Sequence, residues 1–310
     1  MANALIDIAL LAITRALSAL LGLFSVEHRV RILYYLLRAV FIFVRRPLRV
    51  ARSNLAQVFP DRGEADREAL LRQSLLSFAR LIVDALRLKY LDEDWVRSHV
   101  QHEVVPEYAL IKSQAHGKGV LVATGHLSSF ELLAHSAACF GFPMAFVARR
   151  LPFPRLNRWL CEVRERRGNR VIDREGAVRT VLSLLEGGTD VGVLFDHNVT
   201  RNHAVFVPFL GRAAATTKLI GLAALRTNCP LCVACIQYLS ADRYRIKLAQ
   251  CEIEDIRAND VMSAEEKGAL ITERASLLFE RFVLEDPGQW FWIHARWKTR
   301  PLNESRELVG

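Results

Sequence analysis

The chain has 310 residues, of which 51% are hydrophobic, and its 42 basic against 33 acidic residues give a formal net charge of +9. This length accommodates one sizeable α/β core with an appendage. Six scattered cysteines exclude a disulfide framework, and a start without early Lys or Arg lacks the basic region of a secretory signal, which indicates a reducing compartment. The positive charge indicates an acidic partner, and nucleic acid, anionic lipid headgroups and an acidic carrier protein are all compatible with it.

Two apolar segments open the chain. Residues 8–24 contain Arg15 as their only charged residue, and their length makes them a borderline candidate for a membrane-spanning helix. Residues 30–50 predict one long apolar helix with a basic stripe, formed by Arg31, Arg38, Arg45 and Arg49. Such a stripe suits the surface of an anionic bilayer, whereas the alternative is a helix packed on the core with its arginines in water. We predict that residues 1–55 form membrane-associated helices, and the pattern leaves open whether residues 8–24 span the bilayer or lie in it.

The remainder, residues 56–310, has the pattern of an α/β domain. Residues 61–94 have helical periodicity. Short apolar runs bounded by turn residues then predict buried strands at 118–124, 144–148, 169–172, 190–195, 205–209 and 231–239. Helical segments separate some of these runs, at 177–185 and 216–225. Residues 244–248 alternate polar and apolar side chains, as an edge strand does. The alternation of strands with helices predicts one mostly parallel or mixed sheet flanked by helices.

Three cysteines, Cys229, Cys232 and Cys235, have the spacing C-x-x-C-x-x-C. A metal or iron–sulfur site would need a fourth ligand nearby. The surrounding residues favour a buried strand instead, in which residues three apart point to opposite faces and the thiols do not converge. We therefore interpret these cysteines as core residues.

The last segment combines tryptophans with basic residues. If residues 296–300 are extended, Arg296, Lys298 and Arg300 share one face. With Trp290 and Trp292 upstream, the pattern is compatible with an interfacial aromatic–basic patch and equally with a packed terminal strand.

The run 120–131 carries the most chemistry. A strand ends, Gly125 permits a turn, and His126 follows at the carboxyl end of the strand, where ligands bind in α/β sheets. An imidazole can take a hydroxyl proton at neutral pH, and we expect Glu131 to hydrogen-bond its second ring nitrogen. The alternatives are a structural histidine and a capping box, in which Glu131 pairs with Ser128 at a helix start.

His126 and Glu131, in the form H-x-x-x-x-E after an apolar strand, resemble the signature of glycerolipid-type acyltransferases. More narrowly, the chain is similar to the bacterial lipid A late acyltransferases, the lauroyl and myristoyl transferases. Further blocks follow in family order: Asn54-Leu55 with Phe59-Pro60, Arg164 with Arg167 and Gly168, Asp196 after an apolar strand, residues 207–211, and residues 289–301. The resemblance extends from about Asn54 to Pro301.

The resemblance implies a glycerolipid acyltransferase-like domain that transfers an acyl chain from a thioester, carried by acyl carrier protein or coenzyme A, to a hydroxyl of a membrane glycolipid. A lipid A-type precursor would be the acceptor, with His126 and Glu131 as catalytic residues. Arg149, Arg167 and Asp196 are expected to bind substrate, and Asp196 is also a candidate second group for orienting the histidine. No metal or cofactor is implied. The expected location is the cytoplasmic face of the bacterial inner membrane.

Two departures from the family pattern leave the acceptor and the acyl length open. The chain reads His-Leu-Ser-Ser-Phe-Glu where many members read H-x-G-N-W-E, and His197 stands where glutamine is usual. Another lyso-lipid or aminolipid acceptor therefore remains an alternative, as does a membrane-bound acyl thioesterase in which the same base activates water.

Two more distant alternatives belong to other classes of protein. One is a metal-dependent hydrolase that uses Asp196, His197 and His203, although no common metal-binding motif is present. The other is a non-catalytic protein that binds membranes or nucleic acid. Nucleic acid is disfavoured because the basic residues are scattered and form no known binding module.

Overall fold

The computed structural model describes residues 2–240 and 242–302. The strands in this part of the chain are β1 (Val100–Gln101), β2 (Leu121–Thr124), β3 (Met144–Ala148), β4 (Arg170–Asp173), β5 (Asp190–Leu194), β6 (Ala204–Phe209), β7 (Arg212–Thr217), β8 (Leu231–Ser240) and β9 (Arg243–Gln250). The helices are α1 (Ala2–Gly22), α2 (Val26–Phe43), α3 (Arg46–Val58), α4 (Glu64–Arg87), α5 (Glu93–His99), α6 (Val105–Ser113), α7 (Phe130–Cys139), α8 (Pro154–Glu165), α9 (Ala177–Glu186), α10 (Leu219–Thr227), α11 (Glu254–Arg257) and α12 (Ala264–Glu285).

Seven strands form one mixed sheet in the order β1-β9-β8-β2-β5-β3-β4. The five strands from β8 to β4 are parallel, whereas β9 runs antiparallel to β8. This confirms the predicted α/β class with a mostly parallel sheet. The predicted edge strand, β9, is not the last strand, because the two-residue β1 pairs with its outer side.

Each predicted run overlaps one observed strand, but neither the two-residue β1 nor β7 was predicted. The residues of β7, Arg212–Thr217, are mostly alanine and threonine without polar alternation. The strand forms because it pairs with β6 through a tight turn, in which Leu210 and Gly211 both have positive φ. The helix predicted at 216–225 consequently begins only at Leu219.

The sheet is covered on both faces. One hydrophobic cluster joins α2, α3, α4, α9, α10 and α12 to the sheet, and a second joins α5, α6 and α7 to the other face. The cysteines follow this division, since Cys232 lies in the second cluster and Cys235 in the first. All three thiols are buried, which confirms their interpretation as core residues; Cys232 and Cys235 lie on β8, and Cys229 lies just before it.

The helix predicted at 30–50 is wrong, because the structure has two helices there. α2 ends at Phe43 and α3 begins at Arg46, with Pro47 in its first turn. Proline has no N–H and is tolerated in a first turn, not in a helix interior, so it forces this division. The four arginines of the predicted stripe are nevertheless all exposed. The boundary predicted between residues 55 and 56 falls inside α3, and the division into two domains stays a prediction.

The terminal segment forms neither of the two predicted arrangements. Trp290, Trp292 and Trp297 are buried, and Arg296 is 1% exposed, so the segment is packed and is not an interfacial patch. It is not a strand either; a single bridge joins Trp290 to Leu127. The segment lies against the carboxyl ends of β2 and β5 through contacts described below.

Candidate active site

The strand order brings the candidate base and a carboxylate together. β2 and β5 are parallel neighbours in which Thr124 pairs with Leu194, so His126 and Asp196 lie two residues beyond equivalent positions. The Asp196 carboxylate accepts hydrogen bonds from the imidazole Nδ1 of His126 at 2.7 Å and from its backbone N–H at 2.8 Å. The sheet topology thus places an imidazole and an acid, 70 residues apart in sequence, in direct contact.

Gly125 allows this close approach. A Cβ atom at this position would lie 2.7 Å from Cγ of Asp196 and 2.3 Å from Cζ of Phe279. No side chain fits at such distances, so the turn between β2 and His126 requires glycine for packing.

Asp196 is held as an anion. It is 3% exposed, and burial by itself opposes the charge, but the neighbouring His126 imidazole and the N–H donors hold the pKa of this carboxyl well below its usual range. One of these donors is the indole Nε1 of Trp290, which lies 2.9 Å from Oδ2. An ionised acceptor next to Nδ1 keeps the proton of a neutral His126 on Nδ1, so Nε2 carries the lone pair that a base needs.

Two further imidazoles, those of His197 and His294, form a row of hydrogen-bonded rings with His126. Its Nε2 lies 2.8 Å from Nε2 of His197, and Nδ1 of His197 lies 3.1 Å from Nε2 of His294. Because His126 Nε2 is the acceptor, His197 Nε2–H donates to it, and His294 Nε2–H in turn donates to His197. The negative charge of Asp196 therefore fixes the tautomer of each of the three histidines, His126, His197 and His294.

His197 and His294 stay neutral in this arrangement. Desolvation is the largest cause that lowers the pKa of His197 to about 3 and that of His294 to about 4, and the Arg296 guanidinium lowers both further, although part of the His197 surface stays exposed. The buried guanidinium of Arg296 lies behind them and donates to the backbone oxygens of His197, at 3.1 Å, and Ala215, at 2.9 Å. Arg296 thus fixes the backbone that carries His197.

Glu131 does not orient His126, and the prediction of a hydrogen bond between them is wrong. Glu131 is instead paired with Arg164 of α8, whose Nε lies 3.0 Å from Oε2 and whose Nη2 contacts Oε1. The capping-box alternative is also wrong, because Ser128 has a positive φ and its hydroxyl accepts from the backbone N–H of Tyr238. The orienting carboxylate is Asp196.

The other two predicted substrate-binding residues lie in different places. Arg149 is exposed and lines the cavity described next. Arg167 lies away from the lining, with its guanidinium 3.5 Å from the backbone oxygen of Leu91. The motif that contains both arginines therefore brings Arg164, and not Arg167, to the site.

A cavity of about 750 Å³ opens beside His126, which is within the usual range for small-molecule sites. Its polar end includes His126, Glu131, Arg164 and His197. One part of the remaining cavity lies along the sheet beside α6 and α7, where the lining is apolar: Tyr108, Val122, Leu133, Ala137, Phe142 and Ile246. An elongated apolar ligand with a reactive polar end fits this distribution.

The ligand atoms of His126, Asp196 and His197 lie within 4.8 Å of one another, a spacing that a metal ion could bridge. The Asp196 oxygens already accept three N–H donors, so the two facing Nε2 atoms are the nitrogens that a metal could bind. His203, the third residue of the predicted hydrolase alternative, lines the cavity but does not belong to this group.

Trp290, His294 and Arg296 contribute to the site, although the sequence predicted no role at the site for them. The signal was present, because all three belong to the terminal block 289–301. Asn54 shows how this block is held: its side chain donates to the backbone oxygens of Trp292 and His294, both at 2.9 Å. Two blocks far apart in sequence are therefore parts of one arrangement around His126.

Comparison with known proteins finds relatives that match most of the chain. A family model described as bacterial lipid A biosynthesis acyltransferase matches residues 6–299. The chain is 24% identical over 266 residues to the lipid A biosynthesis palmitoleoyltransferase of Escherichia coli strain K12, covering 85% of this chain and 82% of the relative. It is also 24% identical to the lipid A biosynthesis lauroyltransferase of the same organism, with 84% and 81% covered. A phosphatidylinositol mannoside acyltransferase of Mycolicibacterium smegmatis is 26% identical, with 84% and 82% covered.

Proposed function

Because the chain belongs to the bacterial lipid A biosynthesis acyltransferase family and is therefore an O-acyltransferase, we propose that it transfers a fatty acyl chain from an acyl thioester to a hydroxyl of a membrane glycolipid of the lipid A-precursor type. The observation that carries this proposal is the Asp196-oriented imidazole of His126 at the polar end of an apolar cavity. The thioester carbonyl would lie at the imidazole, and the acyl chain would extend under α6 and α7.

His126 acts as the general base and Asp196 orients it. Nε2 of His126 takes the proton of the acceptor hydroxyl, and the hydroxyl oxygen forms a bond to the carbonyl carbon of the thioester. The carbon–sulfur bond then breaks, and the leaving thiolate takes the proton back from Nε2. The ionised Asp196 stabilises the imidazolium between these two steps. No acyl-enzyme intermediate is required.

The hydroxyl must first replace His197. In the resting arrangement the Nε2–H of His197 donates to the His126 lone pair on which the hydroxyl would be deprotonated. The contact keeps water away from the base until an acceptor occupies the site, which favours transfer over hydrolysis of the thioester. Hydrolysis is thus the minor reaction in this proposal.

Glu131 and Arg164 serve the acyl donor. Their bidentate pairing holds the guanidinium at the cavity, where its N–H groups can meet the thioester carbonyl as negative charge develops. Arg149, exposed at the lining, suits a phosphate of the donor or of the lipid headgroup. The donor is acyl carrier protein or coenzyme A, both of which present a thioester and negative charge.

The proposed location is the cytoplasmic face of the bacterial inner membrane, where the exposed arginines of α2 and α3 meet anionic lipid. An alternative acceptor is favoured by one observation, the similarity to a phosphatidylinositol mannoside acyltransferase, whose name describes a different glycolipid. The reaction and the base are the same for both acceptors.

Lipid mass spectrometry of cells with and without the protein tests the proposal. We expect one glycolipid to lose a single acyl chain in the deletion strain and to regain it with the wild-type gene but not with His126→Ala. Purified protein incubated with acyl thioester and with that lipid should form the acylated lipid faster than free fatty acid. An unchanged lipid profile, or free acid as the only product, would reject acyl transfer.

A further inference from the structure

The N-terminal end of α1 is attached to the α/β domain by a buried carboxylate. Asp7 is 4% exposed and accepts hydrogen bonds from the backbone N–H groups of Arg155, at 2.9 Å, and Leu156, at 3.2 Å. These groups belong to the first turn of α8, which begins with Pro154 and has no capping side chain of its own. Asp7 thus caps α8 from another helix, and its negative charge complements the positive end of that helix.

The other end of α1 is attached to a different part of the same domain. Leu21 is 4% exposed and belongs to the core cluster that includes Val83 of α4. The hydroxyl of Ser18 lies 3.4 Å from the backbone oxygen of Leu86, also in α4. Arg29 closes the turn that follows by donating to the backbone oxygens of Gly22 and Phe24. Both ends of α1 therefore contact the folded domain.

Residues 4–22 are long and apolar enough to cross a membrane. A spanning helix, however, needs its two ends separated by the hydrocarbon core, about 30 Å thick. Asp7 contacts α8, whose exposed Arg155, Arg158 and Glu162 cannot be placed in hydrocarbon without a large cost, and Leu21 belongs to the core cluster of the same domain. With both ends of α1 on this domain, neither can lie on the far side of a bilayer.

The outer surface of α1 has the composition of a membrane-binding face. Leu5, Ile13 and Leu20 are 60–66% exposed, and Leu23, directly after the helix, is 80% exposed. The neighbouring α2 continues the apolar surface with other exposed side chains: Tyr35, Val40, Ile42 and Phe43. The exposed arginines of α2 and α3 stand beside this surface and complement anionic headgroups.

We propose that α1 lies in the plane of one anionic leaflet, with its outer face in lipid and both ends on the catalytic domain, and does not span the bilayer. This inference rests on the membrane attachment in the proposed function but not on the acyl acceptor. An in-plane α1 also places α8, and with it Arg164 at the cavity, next to the leaflet that holds the lipid acceptor.

Sidedness of labelling tests the proposal in sealed inside-out membrane vesicles. Asn3→Cys reports the N-terminal end of α1, and Val261→Cys, at a 96% exposed position between α11 and α12, reports the catalytic domain. A membrane-impermeant maleimide is added before and after detergent, and labelling of the wild-type protein is subtracted. We expect both cysteines to react before detergent to a similar extent.

Labelling of Asn3→Cys only after detergent, while Val261→Cys reacts before it, would overturn the in-plane arrangement and leave acyl transfer untouched. Failure of the protein to sediment with the vesicles would overturn it together with the proposed membrane attachment. Absence of lipid acylation by a correctly sided protein would instead count against the proposed function alone.

Replacement of Asp7 gives a second readout. If Asp7 caps α8, Asp7→Ala should lower the Tm of the detergent-solubilised protein by about 1–3 °C, the shift expected for loss of one cap in a protein of this size. Asp7→Asn, which can still accept from the N–H groups of α8, should lose less, and the exposed control Asp260→Ala should lose nothing. An unchanged or raised Tm for Asp7→Ala would contradict the attachment of α1 to α8.

Discussion

Replacing Asp196 with asparagine tests whether Asp196 orients the base, and the structure predicts which tautomer His126 adopts in this variant. Oδ2 of Asp196 accepts from both the backbone N–H of His126 and the indole of Trp290, whereas Oδ1 accepts only from the imidazole Nδ1. In Asp196→Asn the amide oxygen will take the position with two donors. The amide NH₂ then faces Nδ1 and can only donate to it.

That donor forces the proton of His126 onto Nε2, where the lone pair is needed. The variant protein is then folded and His126 is in place, but its imidazole is in the wrong tautomer. Loss of general base catalysis costs about 10²–10⁴-fold, and the corresponding change in a serine protease costs about 10⁴-fold. We expect kcat/KM for acyl transfer to fall by about 10³–10⁴-fold, equivalent to about 4–5.5 kcal/mol of transition-state stabilisation.

The matched control is Glu131→Gln, the carboxylate that the sequence alone would select. This change lowers activity through Arg164, but it leaves the Asp196 contact intact. In ¹⁵N NMR spectra of histidine-labelled protein, His126 should remain the Nδ1–H tautomer in Glu131→Gln and become the Nε2–H tautomer in Asp196→Asn. A wild-type rate in Asp196→Asn, or a tautomer change in Glu131→Gln, would refute this assignment of the orienting group.

The remaining predictions concern the cavity, the row of histidines and the turn. Phe130 packs against His126, and Ala137 lies two turns further along α7, about 10 Å away, on the cavity lining. Ala137→Phe should therefore shift the preferred acyl chain to shorter lengths in a competition assay with mixed donors. Ala138→Phe should not, because Ala138 does not line the cavity. His197→Ala should raise the ratio of free fatty acid to acylated lipid, because water then reaches the base; an unchanged ratio would contradict the proposed role of His197. The pKa of His294 is lowered to about 4 from 6.5, so the unfolded state binds more protons than the folded state between these pH values. The free energy of unfolding should therefore fall as the pH drops from 6.5 towards 4. In a denaturant titration it should fall less in His294→Gln. Gly125→Ala should lose most acyl transfer and lower the Tm, since its Cβ would collide with the Asp196 carboxylate, and activity close to wild type would show that the turn can move.

The fold could be predicted largely because buried strands are short apolar runs between turn residues. His126 could be predicted for the same reason, since a polar residue after a strand and a glycine lies at the carboxyl end of the sheet. β7 could not, because its small residues form a strand only through pairing with β6. The division of α2 from α3 could have been predicted from Pro47.

The sequence offered two candidate partners for His126, Glu131 and Asp196, and could not decide between them, because closeness in sequence does not determine closeness in space. Glu131 is five residues away, whereas the residue in contact, Asp196, is brought there by the pairing of β2 with β5, and no single sequence shows that these strands are neighbours. The sequence could not show which arginine of the block, Arg164 or Arg167, lines the cavity, for a related reason. Only the packing of α8 against α7 determines which of two arginines faces the cavity.

The most direct test of the central claim compares His126→Gln with the wild-type protein in a single-turnover assay of acyl transfer from a labelled acyl thioester to the acceptor lipid. Glutamine approximates the shape of the imidazole but cannot accept a proton at neutral pH. The predicted result is a fall of at least about 10³-fold in the rate of acyl-lipid formation, with unchanged binding of the thioester and an unchanged Tm. A rate within about threefold of the wild type would show that the proton of the lipid hydroxyl goes elsewhere, and the proposed chemistry at His126 would be wrong.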